Sequence, residues 1–384
     1  MDWKTACKIA APAAACAGAF AFLVAPGHAT RAQKAPFLYR NYAHRGLHTE
    51  DGTVPENSLP AFRAAAEAGY AVEMDVHLTA DDQLVVFHDD TLERMCGVPG
   101  VIDDFTLAEL RALRLGDTDC VIPTFAEALE ALGGRVPLLL EVKRGHNNRR
   151  LCALTLAALR TYGGPYCVES FDPTIVAWFR RNAPDILRGQ LSQPPKDYGK
   201  ALNKPAAAIV GNVLTNVIAR PQFIAYKIGP KPLSVRLCEA MGAVRAGWTS
   251  RAWTHEHDYD IVIFEHYRPG AMVPRRHLSG GTPRMRSFDR RQADEVESVL
   301  VSASTGCITL THDETTTAAT PAFAGVAAVV CLCLHVRGGC RPGRCKVEER
   351  TQTRDFATSK RKTMFTEHIL TFVSAIVKRF SNVF

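Results

Sequence analysis

Two histidines, His44 in "YAHRG" and His88 in "VVFHDD", each follow a short apolar run, and carboxylates follow similar runs nearby. Glu73 and Asp75 stand two apart in "AVEMDVHL", Glu141 and Lys143 two apart in "PLLLEVK", and Glu169 closes "YCVE". A spacing of two puts both side chains on one face of a strand. Three carboxylates such as Glu73, Asp75 and Glu141 repel one another when brought together, and a divalent cation is the simplest way to keep them ionised. An oxygen-only set favours Ca²⁺ or Mg²⁺ over zinc. Arg45 and Lys143 beside such an ion make a positive pocket, suited to a phosphate diester whose transition state gathers negative charge on oxygen. His44 and His88 across the pocket have ordinary pKa values near neutrality, as a general acid and base require; which serves as which stays open. Taken alone, Glu73 and Asp75 would also suit a structural ion pair, but five or six such groups on successive strand ends point to a site. His48 and His77 are expected to be solvated or capping residues, without a role.

Something must bring these strand ends to one place. From about residue 37 the chain alternates short apolar runs with helical segments. "NYAH" reads as a strand, and "SLPAFRAAAEAGY" as a helix with Ser58 or Asn57 at its N-cap and Gly69 at its stop. "AVEMDVHL" and "LVVFHDD" are strand-like, and "PTFAEALEAL" is a helix with Pro at its start. The series runs on through "PLLLEVK", "RLCALTLAALRTYG", "YCVESF", "PTIVAWFRRN", "LRGQLS", "FIAYKI", "LSVRLCEAMG" and "IVIFEHY". About eight strand-then-helix units imply a parallel sheet and suit a TIM (β/α)₈ barrel over residues 37–270. In such a barrel, functional groups stand at the C-terminal ends of the strands, where all of the residues above are placed.

The flanks differ in kind. Residues 9–25, "IAAPAAACAGAFAFLVA", form an uncharged run behind Lys4 and Lys8, so residues 1–36 read as a signal or membrane-anchor segment. Lys4 and Lys8 before it and Arg31, Lys34 and Arg40 after it leave the side of the membrane open; the chain is expected to be anchored or exported. Beyond residue 270 there are 17 Lys+Arg against 10 Asp+Glu, which leaves 29 of each in the first 270 residues. The net charge of +7 thus belongs to the extension 271–384, and nothing in the neutral body calls for nucleic acid. That extension has an amphipathic end (Phe365, Ile369, Phe372, Ile376, Phe380) and four cysteines, Cys331, Cys333, Cys340 and Cys345, in no standard zinc pattern. The 12 cysteines as a whole lack disulfide-scaffold spacing, and several, such as Cys152 and Cys167, sit in apolar runs as core residues do.

"AHRG" followed by "PENS", then "EMDVHLTADDQLVVFHDDTLERMCG", "IPTFAEAL", "LLLEVK" and "YCVESFDP", resembles the successive motifs of the glycerophosphodiester phosphodiesterase family. "RPQFIAYKI" and "IVIFEHYRP" resemble its later strands, so the likeness covers about residues 40–269. The resemblance implies a TIM barrel that uses a divalent cation to hydrolyse a glycerophosphodiester to an alcohol and sn-glycerol 3-phosphate. It makes His44 and His88 the acid/base pair and Glu73, Asp75 and Glu141 the metal ligands. Arg45, Glu56 and Lys143 bind phosphate and order the site, and Trp248 stands at the substrate wall. It also implies attack on phosphorus by the substrate's own neighbouring hydroxyl, in keeping with the lack of a Ser or Cys nucleophile beside the histidines.

In one place the sequence departs from that pattern. "GWTSRAWTHEHDYDIVIFE" holds two Trp-Thr pairs, Trp248-Thr249 and Trp253-Thr254, and leaves room only for a shortened seventh helix. Two other readings stand beside the diesterase. One is a phospholipase acting on lysophospholipid or phosphatidylinositol-type head groups, and the other a catalytically silent membrane-bound scaffold acting through its basic tail.

Overall fold

The computed structural model describes residues 16–272. The first half of the apolar run, the four clustered cysteines and the amphipathic end of the extension lie outside the described residues.

Eight strands pair side by side, all parallel: β1 (Arg40–Ala43), β2 (Ala71–Leu78), β4 (Leu138–Val142), β5 (Tyr166–Ser170), β6 (Arg188–Ser192), β7 (Phe223–Lys227), β8 (Val244–Ser250) and β9 (Ile261–Phe264). β1 pairs with both β2 and β9, which closes the ring into a (β/α)₈ barrel. The expected strand "LVVFHDD" departs from this ring. Its β3 (Leu84–Val86) turns back antiparallel on the far end of β2, with Val76 opposite Val86. The tight turn "TADDQ" permits the hairpin, whereas a parallel return needs a crossover.

The two faces of the strands sort by period two. Val72, Met74 and Val76 of β2 and Leu138, Leu140 and Val142 of β4 face outward and pack on Phe62, Ala65, Phe125 and Leu132 of the surrounding helices. On the inward face, Ala71, Leu139 and Cys167 join Tyr42, Phe223, Ala225 and Ile261 in an apolar plug. Further along the same faces come Glu73, Asp75, Glu141 and Glu169, so the lumen changes from apolar to acidic towards the C-terminal rim. At Gly189 in β6 an added Cβ would lie 2.0 Å from the Phe223 ring, so this strand needs glycine for the plug to fit.

The helices follow their local signals. Ser58 caps Leu59–Glu67 by accepting from the Ala61 amide at 3.3 Å, and Gly69 takes φ +76° beyond its end. Thr124 and Glu127 form a reciprocal capping box at Phe125–Leu132. Between β8 and β9 there is no full helix, only a 3₁₀ turn over Trp253–Asp258, so the seventh helix is indeed shortened.

The end of the apolar run lies against the base of the barrel. Residues 16–24 are helical, and Val24 is fully buried. Arg220 donates to the carbonyls of Phe22 (2.7 Å) and Ala25 (2.9 Å), with its guanidinium 4.4 Å over the Phe22 ring. Asn216 donates to the Val24 carbonyl at 2.9 Å, Gln222 to that of His28 at 2.8 Å, and the Gly27 amide to that of Pro221 at 2.8 Å. These partners lie just before β7, at the end of the barrel opposite the acidic rim. No described helix is long and apolar enough to cross a membrane.

Candidate active site

The loop leaving β1 carries the first group of polar residues. Arg45 adopts φ +54° and Gly46 φ +81°, and a Cβ at Gly46 would meet Ala61 at 2.9 Å. A non-glycine residue in this left-handed region stores strain of the kind that gathers at functional sites. The turn aims the Arg45 amide at Glu73 Oε2 (2.9 Å) and lets its guanidinium reach Glu56 Oε1 (2.8 Å). Asn57, also at positive φ, donates to Asp75 Oδ2 at 2.8 Å while its amide bonds the Arg45 carbonyl at 2.9 Å. The "PEN" stretch therefore supplies both a partner for Arg45 and an orienting group for Asp75. Asn57 was considered only as a helix cap; its place directly after Glu56 was the signal for more.

Glu73, Asp75 and Glu141 each offer an oxygen within 4.8 Å of the others, and all three are buried. Lys143 Nζ lies 2.8 Å from both Asp75 and Glu141. Burial raises the Glu73 carboxyl well above the usual range, and repulsion from Asp75 and Glu141 adds to this. Burial likewise lifts Glu141 to about 7, although Lys143 pulls it down. Asp75 is held low despite its burial, by Lys143, His88 and Arg45. Ionised together, the three carboxylates would carry more negative charge than Lys143 and Arg45 offset, and their all-oxygen donor set fits one hard divalent cation.

The two histidines flank this cluster, each backed by a carboxylate. His44 Nδ1 lies 2.7 Å from Glu265 Oε2, while its Nε2 faces Glu73 at 4.0 Å. Burial lowers the His44 pKa to about 4, with Arg45 pushing the same way and Glu265 opposing. The ring is therefore neutral at pH 7, with Nδ1–H donated to Glu265 and the Nε2 lone pair turned towards the carboxylates. His88 reaches the rim from the β3 hairpin. Its Nδ1 lies 2.6 Å from Asp89 Oδ1, and burial and Lys143 lower its pKa. Arg94 grips Asp89 and Glu56 at once, with contacts of 2.7 Å to Glu56 Oε1 and 3.0 Å to Asp89 Oδ1. Glu265, Asp89 and Arg94 were not singled out from the sequence. The doubled acid in "HDD" was the available signal for Asp89, whereas Glu265 becomes visible only once β9 closes against β1.

All nine candidates except Asp75 and Lys143 line one cavity of about 340 Å³ at the C-terminal rim, and those two contact lining residues, Asp75 at 3.9 Å from Arg45 and Lys143 at 2.8 Å from Glu141. Trp248 is among the lining residues, with Phe171 edge-on at 5.6 Å. Trp253 is 59% exposed and does not line the cavity, which favours Trp248 as the wall residue. Two lesser expectations change. His77 is buried beside Asp103 at 3.3 Å, neither solvated nor capping, and His48 lines the cavity edge-on to His266.

Residues 44–268 match the model of the glycerophosphoryl diester phosphodiesterase family, and the chain belongs to that family. Among curated relatives it is 40% identical over 111 residues to a glycerophosphodiester phosphodiesterase of Caldanaerobacter subterraneus, covering 27% of this chain and 44% of that protein. It is 33% identical over 141 residues to a lysophospholipase D of Rattus norvegicus, covering 33% of this chain and 44% of the relative. The chain thus spans less than half the length of each. A phosphodiesterase of Oleispira antarctica, solved with sn-glycerol 3-phosphate, aligns at 24% identity and a TM-score of 0.49 over 59% of this chain and 93% of that one.

Proposed function

We propose that the chain hydrolyses glycerophosphodiesters to an alcohol and sn-glycerol 3-phosphate. The observation that carries this reading is the meeting, on one rim, of three carboxylates within 4.8 Å and two histidines each backed by a carboxylate. Glu73, Asp75 and Glu141 would hold a divalent cation, Ca²⁺ or Mg²⁺, which when bound neutralises charge on the phosphate oxygens. Arg45, kept by Glu56 at the mouth, and Lys143, kept by Asp75 and Glu141, add fixed positive charge for the phosphate. Of His44 and His88, one takes a proton from the substrate's neighbouring hydroxyl as it attacks phosphorus and the other, protonated, gives its proton to the leaving alcohol. Water then opens the resulting cyclic phosphate to sn-glycerol 3-phosphate, with the two histidines exchanging roles. Their Nδ1 atoms are each engaged by a carboxylate, so that exchange falls to Nε2. Trp248 forms the wall against the substrate.

The relatives support this reading, being a glycerophosphodiester phosphodiesterase and a lysophospholipase D, and the latter favours lysophospholipid as a second substrate class. Residues 9–25 are proposed to anchor or export the enzyme. The fastening of their C-terminal end to the barrel base leaves the active-site mouth free at the opposite end. Purified enzyme with either cation, offered glycerophosphocholine and lysophosphatidylcholine in parallel, tests the substrate assignment. Faster turnover of the deacylated diester is expected, and turnover of the lyso-lipid alone would replace this assignment with the second.

A further inference from the structure

Glu169 stands near the end of β5 on the same inward face as Cys167, opposite Glu141 in the β4–β5 register. It is 2% exposed, it lines the cavity, and its Oε2 is buried without a hydrogen-bond partner. Every other carboxylate of this rim has a partner: Glu73 the Arg45 amide, Asp75 Asn57 and Lys143, Glu141 Lys143, Glu56 Arg45, and Glu265 His44. Glu169 also lies outside the group whose oxygens come within 4.8 Å of one another. A buried carboxylate oxygen left without a donor costs free energy, and such an atom in a binding cavity is where a ligand's donor is missing.

The neighbours of Glu169 indicate what kind of donor would fit. Phe171, two residues along the chain, meets Trp248 edge to face, and the Trp248 indole N–H is already given to the Ala225 carbonyl at 3.0 Å. Trp248 therefore offers this part of the cavity an apolar surface and no hydrogen bond. A carboxylate acceptor in a cavity that aromatic rings also line suits a small polyol: the hydroxyls donate to the acid and the C–H faces pack on the rings.

Building on the diesterase reading, we infer that Glu169 is the specificity-determining residue for the glycerol moiety, accepting a hydrogen bond from a glycerol hydroxyl that takes no part in the reaction. A site built to bond a hydroxyl rejects the analogue that lacks it, because its own polar group is then left unpaired. The preference for glycerol over a two-carbon diol accordingly resides in this side chain.

The test compares glycerophosphocholine with 2-hydroxyethyl phosphocholine, which keeps the hydroxyl beside the phosphate and lacks the third carbon and its hydroxyl. For the wild type, kcat/KM on glycerophosphocholine is expected to exceed that on the analogue by about tenfold or more. Glu169→Gln should raise KM for glycerophosphocholine about tenfold, change its kcat little, leave the analogue's kinetics nearly unchanged, and leave the cation concentration for half-maximal activity where it was. Equal losses on both substrates with a shifted cation requirement would make Glu169 part of the cation site and overturn the inference, as would unchanged discrimination. A wild type that hydrolyses neither substrate would sink the diesterase reading and this assignment with it. A second measurement needs no variant: the wild type should bind sn-glycerol 3-phosphate about tenfold more tightly than 2-hydroxyethyl phosphate by calorimetry, and equal affinities would contradict the role.

Discussion

Glu265 Oε2 lies 2.7 Å from His44 Nδ1, tying the end of the last barrel strand to the end of the first across the seam where the ring closes. Arg251 holds the other Glu265 oxygen at 2.8 Å, and burial notwithstanding, these two partners keep the Glu265 carboxyl well below its usual range. An ionised acid on Nδ1 fixes the imidazole tautomer and ring angle, as in hydrolase triads. Glu265→Gln keeps the shape but lets the amide turn its N–H₂ towards Nδ1, which favours the wrong tautomer. We expect kcat to fall on the order of 10²-fold with KM little changed, measured by steady-state kinetics on glycerophosphocholine. An unaltered kcat would remove Glu265 from the account.

The carboxylate cluster makes cation binding depend on pH in a defined direction. Glu141, raised to about 7 in the fold against an ordinary value near 4.5, keeps a proton that the unfolded chain has already released between those pH values. Its contribution to stability without cation is therefore present below about pH 4.5 and lost as pH rises through 7. His44 works the other way. Lowered to about 4, it makes the fold gain stability as pH rises from 4 towards 6.5. Cation binding needs the ionised cluster, so the rise in Tm on adding Mg²⁺ or Ca²⁺ should be larger at pH 8 than at pH 5.5. Calorimetry at the two pH values checks this; an equal shift at both would place the cation elsewhere.

Arg220 joins the 22–25 stretch to the barrel base through two hydrogen bonds and one ring contact. Arg220→Ala should cost about 2 kcal/mol in urea unfolding and speed hydrogen exchange over residues 22–28. The specific activity of the folded fraction should hold, because the strap lies at the end of the barrel away from the cavity. Slow exchange retained in the variant would show that Val24 and Asn216 hold the segment without it.

Gly189→Ala tests the apolar plug. Its Cβ would meet the Phe223 ring at 2.0 Å, and the ring is fully buried. Destabilisation of about 3 kcal/mol is expected by thermal or urea unfolding, from overpacking in a filled lumen. A neutral substitution would mean the ring repacks freely.

The period of two was enough to read Glu73 with Asp75 and Glu141 with Lys143, because each pair depends on one strand's own geometry. Cap signals were just as local, and Ser58 stands at the N-cap where its sequence put it. The hairpin nature of β3 was missed because a three-residue apolar run has the same pattern in a barrel strand as in a return strand, and only pairing separates them. Glu265 and Arg94 act through partners 221 and 38 residues away, contacts that no local pattern encodes. Fastening of residues 22–28 to the base was hidden for the same reason. An apolar run at a chain end looks alike whether it packs on protein or lipid, and Arg220 and Asn216 lie nearly 200 residues on.

The central claim is that His44 and the Glu73–Asp75–Glu141 cluster together cleave a glycerophosphodiester. Release of sn-glycerol 3-phosphate from glycerophosphocholine by the full chain, assayed with Mg²⁺ or Ca²⁺, with chelator, and in the His44→Ala variant, tests it most directly. The expected result is turnover with cation, its loss on chelation and recovery on re-addition, and at least a 10²-fold lower kcat for a folded His44→Ala protein. Turnover that survives both chelation and His44→Ala would contradict it.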